Sequence, residues 1–77
     1  MEFDDYVTSK INDNERKVIN WLIRGMTNKE IAAKIFLSTY AVNYYLAKLY
    51  KKFGAVNRNN FVYILAKHIK SHEGLDF

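Results

Sequence analysis

Residues 27–54 read TNKEIAAKIFLSTYAVNYYLAKLYKKFG, and the fold turns on how that stretch divides. Thr27 stands three residues before Glu30, the spacing at which a hydroxyl and a carboxylate satisfy each other's backbone N–H at a helix start. Met26 and Ile31 flank that cap as a hydrophobic staple, and Ile31, Ala32, Ile35 and Phe36 recur on one face. Leu37 and Ser38 follow at once. Ser38 is a second cap, stapled by Leu37 and Val42, after which Val42, Leu46, Leu49 and Phe53 repeat at helical spacing until Gly54. The spacing predicts two helices joined by a tight turn, the second spanning about residues 39–53.

The same punctuation extends outward in both directions. Asn12 precedes Glu15 by three, and Val18, Ile19, Leu22 and Ile23 share a face before Gly25, which predicts a first helix. Asn57 caps a fourth, with Val56 and Phe61 as its staple and Phe61, Val62, Leu65, Ala66 and Ile69 able to face a core before Gly74. No segment alternates apolar and polar residues over six positions, and no Asn-Gly or Asp-Gly turn occurs. The expected fold is therefore all-α, a four-helix helix-turn-helix domain over residues 11–77. Residues 1–10 show no clear period and are expected as a flexible acidic arm.

Charge is unevenly placed. Residues 1–15 hold five acids against Lys10 alone, whereas Arg16 to Lys70 carries eleven Lys or Arg against Glu30, a net +10. Such a body attracts polyanions, because each neutralised phosphate releases condensed counterions. A merely solvated basic surface is the alternative. With no cysteine, disulfides and thiolate metal sites are excluded. The acidic start lacks the features of a secretory signal, and the longest apolar run, Phe61 to Ala66, is far short of the ~20 residues of a membrane span. A cytoplasmic protein without membrane partners is expected.

His68 and His72 stand four apart near the end of the fourth helix, but no further His and no Cys completes a metal site. They are expected to sit there because the helix dipole favours a cation. No cofactor is implied. A catalytic role is not expected either, for want of a nucleophile with its base, paired acids, or a phosphate-cradling glycine loop. Trp21 and Met26 are expected as core or staple residues.

If Val42, Leu46, Leu49 and Phe53 point inward, then Tyr40, Asn43, Tyr44, Ala47, Lys48 and Lys51 point away. That face suits the major groove of double-stranded DNA. An asparagine can pair in bidentate fashion with adenine, and an alanine or a tyrosine ring can touch a thymine methyl. Tyr40, Asn43, Tyr44 and Ala47 are the candidate base readers. Thr27, Lys29, Ser38, Lys48, Lys51, Lys52 and Arg58 are the candidate phosphate contacts, Lys29 and Arg58 because each opens a helix whose N-terminus already favours an anion. The alternative is a solvated amphipathic helix.

These residues resemble the LuxR/GerE type of DNA-binding domain. Asn12, Glu15-Arg16, Gly25 and Asn28-Lys29-Glu30-Ile31-Ala32 are similar to that family's opening pattern. Leu37-Ser38 stands at its turn and cap, Val42 at the valine of its recognition helix, Leu49-Tyr50-Lys51-Lys52-Phe53-Gly54 at the close of that helix, and Asn57-Arg58 at the start of the fourth. The resemblance implies a tetrahelical domain of a transcriptional regulator that reads the major groove with helix three and dimerises through helix four on paired half-sites. Where the family shows threonine-valine-lysine and then histidine, this chain has Ala41-Val42-Asn43 and Tyr45, and Ala47 replaces a frequent lysine. Asn43 and Tyr44 are left to read bases. An uncharged start to the recognition helix also leaves open a protein-interaction module, such as an anti-activator that binds another regulator or RNA polymerase.

Phe61 to Ala66 is apolar around the whole helix, more than one face of a small domain buries. With Val62, Leu65, Ala66 and Ile69 inward, Tyr63, Ile64 and Lys67 would meet a second copy in a homodimer. A monomer with Phe3 to Val7 folded over that strip is the alternative. The acidic start at Met1 is what a stand-alone regulator would show.

Overall fold

The computed structural model describes residues 2–71. The elements run β1 (Glu2–Phe3), α1 (Asp5–Thr8), α2 (Asp13–Leu22), α3 (Asn28–Ile35), α4 (Thr39–Phe53), α5 (Arg58–Lys67) and β2 (Ile69–Ser71). Each of the four main helices opens on the expected cap. Asn12 and Glu15 form a reciprocal capping box, as do Thr27 and Glu30. Ser38 Oγ accepts from Ala41 N at 3.0 Å and Asn57 Oδ1 from Asn60 N at 2.8 Å. Caps of this kind contribute about 1 kcal/mol each, and they fix where the chain turns.

Val18, Ile19 and Leu22 of α2, Ile31 of α3, Val42, Leu46 and Leu49 of α4, and Phe61 and Leu65 of α5 form one core. α4 runs through its middle, contacting α2, α3 and α5. Gly54 closes α4 at φ +67, a left-handed conformation that costs a glycine nothing. Phe36 performs the same service for α3 at φ 59, and there the expectation of a core residue is corrected. Its ring is 92% exposed, because a left-handed residue carries its side chain off the helix face that the preceding periodicity describes. Val56, expected to staple α5, is likewise exposed, and the α5 cap is completed instead by Asn60 Oδ1 accepting from Val56 N at 2.9 Å.

Two further expectations change at the chain ends. Residues 2–8 are not a flexible arm: Phe3 and Val7 are buried in the core, Asp4 caps α1, and β1 pairs antiparallel with β2, Phe3 opposite Ile69. Two apolar residues are too few to show a period, yet they suffice to dock a short segment. The fourth helix stops at Lys67 rather than continuing toward Gly74, and Ile69 lies in the strand. Ala66, expected inward, is exposed. Gly74 and His72 lie outside the described residues. His68 ends α5 facing Asp4, Nδ1 to Oδ2 2.8 Å, with the Tyr6 ring stacked on it at 4.4 Å.

Candidate nucleic-acid interface

Helical periodicity divides α4 into two faces. Val42, Leu46, Leu49 and Phe53 are buried, and Tyr40, Asn43, Tyr44, Ala47, Lys48 and Lys51 are exposed on the other side. All four candidate base readers therefore share one exposed surface, as the sequence predicts. Tyr40 is 81% exposed, and Lys48 Nζ lies over the Tyr44 ring, 5.4 Å from its centroid, so that ring and cation are presented together. No acid occurs between Glu30 and Lys70, which leaves the potential of this face positive.

Tyr45, in the position where the resemblance leads one to expect histidine, does not join that surface. It is half-buried, and its hydroxyl accepts from Asn14 Nδ2 at 3.0 Å, tying α4 back to α2.

The candidate phosphate contacts separate into two groups. Thr27, Lys29, Ser38, Lys48 and Lys51 are exposed at the helix starts or on the outer face of α4. Thr27 Oγ1 accepts from Glu30 N at 3.2 Å, and the Thr27 backbone N–H donates to the Glu30 carboxylate, holding that carboxyl below its ordinary range.

Lys52, though itself exposed, and the half-buried Arg58 are engaged by partners within the chain. Lys52 Nζ lies 2.7 Å and 2.9 Å from the two carboxylate oxygens of Glu15, whose side chain is fully buried, and also donates to the Lys10 carbonyl at 2.9 Å. A carboxylate removed from water needs such a partner, so this lysine is held by the core. The half-buried Arg58 guanidinium donates from Nη2 to the Met26 carbonyl and from Nη1 to Asn28 Oδ1 at 2.6 Å. Asn28 Nδ2 then donates to Asn43 Oδ1 at 2.5 Å. In the sequence Asn28 stands out only as the first residue of the Asn28-Lys29-Glu30-Ile31-Ala32 pattern, and only the fold shows that it joins the start of α5 to a candidate base reader.

On α5, Phe61 and Leu65 are buried, Val62 and Ile64 half-buried. Tyr63 and Lys67 are exposed as neighbours, Lys67 Nζ lying 4.4 Å from the Tyr63 ring centroid. Trp21 is half-buried between the cations of Arg24 and Lys34, and Met26 is half-buried before the α3 cap. Among the described residues no cluster of His, Asp and Glu is placed to hold a metal, and no helix is long and apolar enough to cross a membrane.

Residues 10–65 match the model of a protein family described as bacterial regulatory proteins, luxR family. The DNA-binding transcriptional activator DevR/DosR of Mycobacterium tuberculosis is 38% identical over 50 residues, which cover 65% of this chain and 23% of that protein. The transcriptional activator protein BjaR1 of Bradyrhizobium diazoefficiens is 29% identical over 68 residues, 88% of this chain and 28% of that protein. The chain thus spans about a quarter of the length of these relatives. No solved structure matches it.

Proposed function

The chain belongs to the luxR family of bacterial regulatory proteins, and on that premise we propose that it is the DNA-binding part of a transcriptional regulator, reading the major groove with α4. The observation that carries this reading is the exposed face of α4, where Tyr40, Asn43, Tyr44 and Ala47 lead into Lys48 and Lys51 with no acid among them. A helix of this length fits the groove, its first turns at base edges and its later lysines at the backbone. Thr27 and Lys29 at the start of α3, with Ser38 at the start of α4, would contact phosphates through groups already oriented by helix N-termini.

Tyr63, Ile64 and Lys67 are the surface we assign to a second copy, which would place two recognition helices about one turn of DNA apart. A cytoplasmic site of action accords with this role. The uncharged first turns of α4 favour one other reading, a module that binds RNA polymerase or a second regulator.

Titration with a random-sequence duplex at low salt tests the proposal. Binding that weakens steeply as salt rises is the expected result. A protein that ignores duplex DNA at low salt but co-purifies with a regulator would overturn it in favour of the interaction module.

A further inference from the structure

The chain of contacts from Arg58 to Asn43 has a direction. A guanidinium has donors and no acceptor, so the atom of Asn28 that faces Arg58 must be its oxygen. The amide nitrogen of Asn28 then lies on the other side, and as a donor it requires the oxygen of Asn43 opposite it. Reversing either amide would set two donors against each other. The Met26 carbonyl holds the other arm of the guanidinium, which fixes the starting point of the series on backbone rather than on a second mobile side chain.

We propose that Arg58 and Asn28 set the base preference of Asn43, holding its amide so that the NH₂ group faces the groove and selects guanine over adenine. The proposal rests on the DNA-reading assignment above and refines it. Guanine presents two acceptors in the major groove, N7 and O6, whereas adenine presents one acceptor and the N6 donor. The bidentate pair of asparagine with adenine requires the asparagine oxygen at the base edge, whereas here Asn28 takes one of its two lone pairs and turns that oxygen toward α3. The preference expected from the residue type alone is therefore reversed by its neighbours. Arg58 and Asn28 are positioning residues and need not touch DNA.

The test compares wild type, Asn43→Ala and Asn28→Asp on duplexes selected from a random pool, with every position then varied singly. Wild type should favour guanine over adenine by about tenfold or more at one position, and Asn43→Ala should lose that preference. Asn28→Asp is the informative variant. Its carboxylate still pairs with Arg58 but only accepts, so Asn43 must turn its NH₂ inward and expose its oxygen. Preference at that position should then pass to a base with a major-groove donor, adenine or cytosine.

An acid in the first turn of a helix is favourable, so this variant keeps its fold, and a ratio of bases is insensitive to the added negative charge. In the unbound protein, the NMR signals of the side-chain amides should show a hydrogen-bonded Asn28 NH₂ and a solvent-facing Asn43 NH₂, with the latter becoming bonded in Asn28→Asp. An unchanged preference in Asn28→Asp, no position whose preference depends on Asn43, or a bonded Asn43 NH₂ in the wild type each overturns the proposal while leaving DNA binding intact. Failure of the wild type to bind any duplex at low salt overturns the DNA reading and this refinement with it.

Discussion

The two sides of α4 use their polar groups in opposite ways. Toward α2 and the N-terminal segment, Lys52 and Tyr45 are consumed by partners within the protein, Glu15 and Asn14. Toward solvent, Tyr40, Tyr44, Lys48 and Lys51 are displayed. Lys51 and Lys52 make the contrast sharpest, for they are adjacent in sequence, identical in type and on different faces. One residue of helical rotation, about 100°, decides whether a cation neutralises a buried carboxylate or meets a polyanion. Charge counting treats them alike.

Removing each cation in turn breaks or sustains that contrast, and the largest effect is expected at Lys52. Lys52→Ala leaves the buried Glu15 side chain without its cation, which should cost about 3 kcal/mol of stability in urea unfolding. Lys51→Ala should leave stability within about 0.5 kcal/mol and weaken specific and random duplexes equally. Similar stability losses for the two would remove the distinction.

Salt dependence comes next. With Lys52 and Arg58 withdrawn, Lys29, Lys48 and Lys51 remain as ionic contacts, so affinity should fall about 40-fold between 50 and 200 mM salt for one copy and about 10³-fold for two. The measured slope thereby counts copies on the duplex. Ile64→Glu should reduce the two-copy slope to the one-copy value if α5 pairs them.

A smaller effect belongs to the candidate base readers. Asn43→Ala should cost roughly 1–3 kcal/mol on the preferred site and little on random DNA, the opposite profile to Lys51→Ala. Equal losses on both would take Asn43 off the base-reading list.

The smallest is a pH effect at the segment that covers the inner side. Partial desolvation raises the Asp4 carboxyl, but the hydrogen bond from His68, the Val7 N–H and the His68 charge outweigh it and bring the group below its ordinary 3.8. A depressed carboxylate stabilises the fold above its unfolded pKa, and that contribution is lost as pH falls through the lowered value. Protection of the Val7 and Asp4 amides, taken relative to the intrinsic exchange rate at each pH, should therefore fall in acid, and Asp4→Asn should show the lower protection already at neutral pH. Protection at these amides that ignores both changes would mean that Phe3 and Val7 alone hold the segment.

The caps at Asn12, Thr27, Ser38 and Asn57 were legible because a cap is a local contract between residues three apart. Helix α4 was legible for the same reason, four apolar residues on one period closed by Gly54. What could not be read joins residues distant in sequence: Lys52 with Glu15, Arg58 with Asn28 and Asn28 with Asn43 are pairings that no local spacing announces. Phe36 failed differently, since it fits the period of α3 and leaves the face only because the turn demands a left-handed residue there. The family resemblance suggested the proposed groove-reading role but not the direction in which Asn43 points.

The pairing of Phe3 with Ile69 brings together opposite ends of the described chain, and its consequence is temporal. Helices α2 to α4 are built largely from contacts between chain neighbours, which form in microseconds to milliseconds. The strand pair must wait, because the entropy of closing so long a loop is recovered only once the intervening helices have already shortened the path. The clasp should be the last feature to assemble and the first to open. In a folding experiment, Phe3→Ala should accelerate unfolding and leave the folding rate nearly untouched, whereas Leu46→Ala should slow folding as well.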